Sequence, residues 1–212
     1  MDYQSKDRRP IPLREKSLSK RTASLLVRAG VSANVISSFS LLFGIGAGMC
    51  LVMTSAQPDS RLWWALAAAL ILLRLLANMM DGMVAIEAGK TSAVGELFNE
   101  IPDRVSDAAT FIGAGFAAAS SPHLGYTTAI LALLVAYVRA LGNQMDVTGL
   151  FIGPMSKQQR MFTLIAICLF YLFAPIAWLS LPLLIWGLWI ISLGAILTFI
   201  RRIGHIVKEV NG

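Results

Sequence analysis

At 212 residues, 56% hydrophobic and only 14% charged, with a mean hydropathy of +0.67, the chain is far too apolar for a soluble domain and has the length of one membrane domain. A net charge of +6 and a pI near 9.7 would suggest a nucleic-acid partner in a soluble protein. Here the basic residues hug the apolar segments, so anionic lipid headgroups are the simpler partner and no nucleic acid is expected.

The reading in chain order is an all-α integral membrane protein with six transmembrane helices and an N-terminal interfacial amphipathic helix. Residues 1–34 form a cytoplasmic basic segment with no apolar core of their own, so no signal peptide is expected. Within it, Ser17 to Ala29 sets Leu18, Ala23, Leu25, Leu26 and Val27 among Lys20, Arg21 and Arg28, which suits a helix lying in the membrane interface. Ser32 or Asn34 then serves as the N-cap of the first span, both types being preferred there. Six spans, each long enough or nearly so for the hydrocarbon core, fall at about 35–53, 62–80, 105–121, 124–142, 161–177 and 181–199. Residues 35–200 are therefore one six-helix unit, and 201–212 are a tail.

In the first span Gly44 and Gly48 make a small-xxx-small pair suited to close helix packing and occasionally to dimerisation. The third span is short and rich in Gly and Ala, which places it inside the bundle. Cys50 and Cys168 lie inside spans, too few and wrongly placed for a metal site, and His123 and His205 have no partner pattern around them.

Orientation follows from Lys and Arg beside the spans. Residues 1–30 hold eight of the eighteen, the connections at 81–104 and 143–160 add Lys90, Arg104, Lys157 and Arg160, and the tail adds Arg201, Arg202 and Lys208; Arg61 stands on the other side. Both termini are thus expected in the cytoplasm. Trp63, Trp64 and Trp178 fall at the opposite ends of their spans, where an aromatic belt would sit.

On the cytoplasmic side a set of polar groups converges: Asn78, Asp81, Gly82, Ala85, Gly95, Asn99 and Asp103. Asn78 and Asp81 are three apart and Asn99 and Asp103 four apart, so each pair shares a helix face. Two such helices side by side would aim four oxygen donors at one point, a cage suited to Mg²⁺ or Mn²⁺ and through it to phosphate. The plainer reading makes these residues helix ends wetted by cytoplasm, and spacing alone leaves both readings open. Arg74, four before Asn78 and seven before Asp81, shares their face and must pair with something, Asp81 or a substrate phosphate being the obvious partner. Asp107, four past Asp103, and Glu100, beside Asn99, read as solvated helix-end residues before they read as substitute ligands.

The stretch from Asn78 to Asp103 resembles the signature of the CDP-alcohol phosphotransferases, D-x2-D-G-x2-A-R-x8-G-x3-D-x3-D, with every spacing kept. The resemblance implies a membrane transferase that moves a phosphatidyl or similar group from a CDP-linked lipid, CDP-diacylglycerol first among them, to an alcohol acceptor, releasing CMP in phospholipid biosynthesis. In that family four aspartates hold a pair of divalent metals on the CDP pyrophosphate, and the last is the base. Carried over by position, the metal ligands are Asp81, Asp103, Asn78 and Asn99, the catalytic base is Asp103, and the CDP-binding residues are Asn34, Asp81, Gly82, Ala85 and Gly95, with Arg74 beside them.

This chain departs from the signature with Asn at 78 and 99 and with Ile86 in place of the arginine. An amide offers a carbonyl oxygen without charge, so the site should hold one metal, or a second only weakly; Arg74 would partly replace the charge lost at Ile86. Asn34, in Val31-Ser32-Ala33-Asn34, resembles the T-P-N segment of family members, where the asparagine lies near the nucleotide. Tyr137-Val138-Arg139-Ala140 and the stretch from Gly153 to Arg160 resemble the segments of members that accept a phosphorylated alcohol, so Arg139, Lys157 and Arg160 are the expected acceptor-binding residues. As an alternative these three are positive-inside and snorkelling cations.

The resemblance further implies a homodimer in the plasma membrane, the bacterial inner membrane, with the site facing the cytoplasm. The rival readings are a catalytically silent relative that binds CDP-lipid or a partner protein and, more distantly, a small transporter. Transport is disfavoured because no internal repeat is seen and the polar residues cluster at one side of the membrane.

Overall fold

The computed structural model describes residues 16–89 and 93–211, the side chains at 93–96, 98 and 176 excepted. Seven α-helices and no strand are found among the described residues. They are α1 (Ser17–Arg28), α2 (Ala33–Ala56), α3 (Leu62–Glu87), α4 (Ala93–Gly115), α5 (Pro122–Gln144), α6 (Lys157–Phe173) and α7 (Leu183–Asn211), with a 3₁₀ turn at Ile176–Trp178.

α1 is amphipathic as its pattern predicts. Ala23 is buried against Ile36 and Val84, and Leu26 and Val27 join the same cluster with Met80 and Met83 of α3. Leu18 and Leu25 point outward, 74% and 63% exposed, apolar surface of the kind an interfacial helix gives to lipid. The N-cap of α2 is Ser32, whose Oγ accepts the Val35 N–H at 3.4 Å. Asn34 is instead an exposed residue of the first turn, its carbonyl accepting from Ser38 Oγ at 3.0 Å.

Four helices, α2, α3, α5 and α7, are long and apolar enough to cross a membrane. α4 is longer than the 105–121 expected for it, because its first half carries the polar signature, and it ends at Gly115, ahead of a turn in which Ala119 has φ +51°. α6 ends at Phe173, earlier than expected, where Arg61 closes its C-terminus: Nη1 donates to the Leu172 carbonyl at 2.9 Å and Nη2 to that of Ala174 at 2.6 Å. These are two of the carbonyls a helix end leaves without partners. α7 continues through Arg201 and Arg202 to Asn211, so the expected tail is a helical extension.

The packing order decides where the site lies. α2 packs extensively on both α3 and α4, α4 on α5, α5 on α7 and α3 on α6, whereas α3 and α4 make no extensive contact with each other. The two helices that carry the signature therefore both lean on α2 and meet each other through polar side chains.

The glycine pair is used inside the chain. A Cβ at Gly44 would overlap the Ser106 side chain, and one at Gly48 would overlap the Ala109 carbonyl, so both glycines let α4 approach α2 at backbone distance. Backbone cannot yield as a side-chain end can. Gly48→Val is expected to destabilise by about 1–3 kcal/mol, the range for overpacking, or to prevent assembly. Gly46→Ala, whose Cβ would meet only Leu70 Cδ1 at 3.3 Å, should melt close to wild type; equal melting of the two variants in detergent would argue against the α2–α4 seam.

Candidate functional site

The last turns of α3 carry Asn78, Asp81, Gly82 and Ala85, the early turns of α4 carry Asn99 and Asp103, and α6 begins at Lys157. α2 supplies two hydroxyls beneath them. Ser37 Oγ donates to Asp81 Oδ2 at 2.9 Å, and Ser40 Oγ donates to Asn78 Oδ1. Asp81 Oδ1 also accepts the Gly82 N–H at 2.6 Å. Asp81 is 2% exposed, so its carboxylate is oriented by these donors and not by water. Asn78 Nδ2 is buried without a hydrogen-bond partner among the described residues, and Oδ1 keeps a second lone pair beside its bond from Ser40.

Asp103 is held from two sides. Lys157 Nζ donates to Oδ2, and Arg74 Nη2 lies 3.8 Å from Oδ1. Lys157 on Asp103 ties α6 to α4, and Arg74 on Asp107 ties α3 to the same stretch of α4.

Arg74 is fully buried, and its ion partners are on α4 rather than at Asp81. Nη2 donates to Asp107 Oδ1 at 2.6 Å and to the Asp103 carbonyl at 3.3 Å, and Nε donates to Ser106. The reason is axial. Seven residues of helix are about 10.5 Å of rise, so Arg74 sits well over a turn deeper than Asp81, level with the stretch of α4 that contains Ser106 and Asp107. Its charge is committed there, which leaves the expected compensation for Ile86, itself 55% exposed, without support.

Asp107, expected to be a solvated helix-end residue, is 1% exposed and is the centre of a buried network. Besides Arg74 it faces Arg160 Nη2 at 3.7 Å and Arg104 Nη1 at 3.8 Å. Arg160 is itself 1% exposed, and its Nε and Nη1 have no hydrogen-bond partner among the described residues. Its guanidinium also lies 6.0 Å from the Phe111 ring centroid.

Arg139 and Glu100 form an ion pair, and Glu100 also accepts from Arg104 Nε at 3.1 Å. Burial would push the Glu100 carboxyl up, but the two guanidiniums hold it below its usual range. Arg139 further lies over the Phe151 ring at 5.7 Å.

Of the expected site residues, Asn78, Asp81, Asp103, Lys157, Arg74 and Arg160 gather in one polar seam with Asp107. Arg139 joins through Glu100, and Asn99, Gly82 and Ala85 are half-buried beside it. Asn34 is exposed at the start of α2, one turn before Ser37. Gly95 is in the first turn of α4, and its surroundings fall outside the described residues, as does Lys90. Ser37, Ser40 and the burial of Asp107 were not foreseen. The spacing of Asp107 four beyond Asp103 was a signal, whereas nothing marks two serines in an apolar span as carboxylate partners.

Asp81, Asp103 and Asn78 bring oxygen donors to this seam; among the described residues no three His, Cys, Asp or Glu side chains converge as a metal centre. Hard oxygen donors of this kind suit Mg²⁺ or Mn²⁺.

The family model described as CDP-alcohol phosphatidyltransferase matches residues 30–200. The chain is 28% identical over 203 residues to a phosphatidylinositol phosphate synthase of Mycolicibacterium smegmatis, covering 92% of this chain and 86% of the relative. It superposes on the crystal structure of the Mycobacterium tuberculosis phosphatidylinositol phosphate synthase with CDP-DAG bound at a TM-score of 0.74, 19% identity, 90% of this chain and 94% of that one. Against the same enzyme in complex with manganese and citrate the TM-score is 0.73, again at 19% identity, covering 89% of this chain and 88% of that one. Both superpositions bear on the fold.

Proposed function

The chain belongs to the CDP-alcohol phosphatidyltransferase family and is a membrane transferase of phospholipid synthesis, and from that premise we propose that it transfers a phosphatidyl group from CDP-diacylglycerol to a phosphorylated alcohol at the seam between α3, α4 and α6. A fold relative was crystallised with that donor and with manganese, and the oxygen donors here fit one such ion. Asp81 and Asp103 are its charged ligands, with Asn78 and Asn99 as weaker ones. When bound, the cation withdraws charge from the donor's diphosphate.

Asp103 accepts the proton of the acceptor hydroxyl. The freed oxygen attacks the β-phosphorus, and the bond from that phosphorus to the CMP oxygen breaks, releasing CMP. Lys157, donating to Asp103 Oδ2, holds the carboxylate in place. The CDP moiety is assigned to Gly82, Ala85 and Gly95, small residues that let a ligand approach the backbone, together with Asn34 from the start of α2. Arg74 acts on this region through Asp103 and Asp107.

The observation that carries the phosphorylated acceptor is Arg160: a guanidinium 1% exposed whose Nε and Nη1 are both unsatisfied, three residues from Lys157 and linked through Asp107 to the same network. Buried donors are rarely left unmade, and a phosphate supplies the acceptor oxygens they lack. Arg139 is the third cation of this pocket.

Six spans with both termini and the seam in the cytoplasm complete the reading, α4 and α6 supplying the spans beyond the four long apolar helices. Residues 1–34 with α1 are the cytoplasmic anchor, and the protein works as a homodimer. The distribution of Lys and Arg supports the orientation.

The test is CMP release by the purified protein in lipid, with CDP-diacylglycerol, Mg²⁺ or Mn²⁺, and a pool of free and phosphorylated alcohols. The relatives' product, phosphatidylinositol phosphate, puts an inositol phosphate first in that pool. Release that needs both metal and a phosphorylated acceptor is expected; donor binding without release would point to a silent relative.

A further inference from the structure

The seam holds less negative charge than its shape suggests. Asn78 and Asn99 bring none, leaving Asp81 and Asp103, and Asp103 is already approached at both oxygens, by Lys157 at Oδ2 and by Arg74, 3.8 Å from Oδ1. Asp81 has one donor on each oxygen, Ser37 and the Gly82 N–H, so each oxygen has room for one further partner. With Arg74 balanced by Asp107 at 2.6 Å, the two carboxylates and one ammonium carry a net charge of about −1. One divalent cation brings that to about +1, and a second would bring it to about +3 in a partly buried site, where like charges repel strongly.

We infer that this chain's donor set holds a single divalent cation when no nucleotide is bound, and that the Lys157 ammonium supplies the positive charge that a second cation would bring to Asp103. The inference rests on the transferase reading of the seam. It makes Lys157 a positioning residue with two jobs: it fixes the Asp103 carboxylate toward the acceptor and sets how many ions the site takes. It also gives the two asparagines a consistent reading, since a site with a built-in cation needs fewer carboxylates to reach the same balance.

The test is a Mn²⁺ titration of the full chain in lipid nanodiscs without nucleotide, read by electron paramagnetic resonance. Wild type is expected to bind one Mn²⁺ per chain with no Mn–Mn coupling. Lys157→Gln should bind that ion at least about tenfold more tightly, the size of one removed unit of like charge in a partly wet site, while Lys157→Arg keeps wild-type affinity. Asn78→Asp together with Asn99→Asp should admit a second ion. Two coupled ions in wild type would overturn the inference, as would unchanged affinity in a Lys157→Gln protein that melts like wild type. If Lys157→Gln does not fold, the wild-type count and the asparagine variant decide. No Mn²⁺ in either wild type or the Asn78→Asp, Asn99→Asp protein would overturn the transferase site itself, an outcome distinct from a count of two.

Discussion

Asp103→Asn is expected to lose about 10²–10⁴-fold in CMP release, the range a positioned general base contributes, while CDP-diacylglycerol binding stays within a few-fold. The amide keeps the shape of the carboxylate and can still accept from Lys157 Nζ, so α4 and α6 should stay where they are. What it loses is basicity: an amide oxygen cannot take the acceptor's proton. The comparison that separates base from scaffold is Lys157→Arg, which keeps a cation on Asp103 and should retain most of the turnover. If Asp103→Asn lowered donor binding as much as turnover, Asp103 would be a donor-holding group, and the base would have to be sought elsewhere in the seam.

The second large effect belongs to Arg74. Removing one partner of a buried ion pair leaves the other charge without compensation, at a cost of about 3–5 kcal/mol. Asp107 lies 2.6 Å from Arg74 Nη2, against 3.7 and 3.8 Å from Arg160 and Arg104, so Arg74 is its principal partner. Arg74→Met should therefore lower the melting point strongly, Asp107→Asn should do the same, and the double variant should recover much of the loss. Additive losses in the double variant would mean that the pair is not coupled and that Arg74 acts on something else. The cycle is read by thermal unfolding in detergent, which does not depend on turnover.

The two predictions differ in how far ahead of the structure they were visible. Asp103 is marked in the chain itself, at the end of a spaced run of Asn78, Asp81, Gly82, Gly95 and Asn99. Arg74 was visible only as an arginine in an apolar span that needs a partner, and the partner expected on its own face was the wrong one. The i+7 rule places residues on one face of one helix; it says nothing about which level of a neighbouring helix lies opposite.

The serines show the same limit. Ser37 and Ser40 sit in a span where hydroxyls draw no notice, yet they orient Asp81 and Asn78 because α2 packs against α3. Glu100 and Arg139 are 39 positions apart, and no local pattern joins them.

By itself the sequence determined the all-helical, membrane-length organisation, the amphipathic α1, the polar signature and the loss of charge at Asn78, Asn99 and Ile86. These follow from local physics: hydropathy over about 20 residues, helical period and the chemistry of single side chains. Only the tertiary structure decided that α3 and α4 both pack on α2, that Arg74 answers Asp107, that Lys157 stands on Asp103 and that Arg160 is buried with donors to spare. Those depend on helix order and axial level, which are set by contacts such as the glycine seam at Gly44 and Gly48, where the absence of two Cβ atoms draws α4 onto α2. Side chains far apart in the chain come to face one another through that packing.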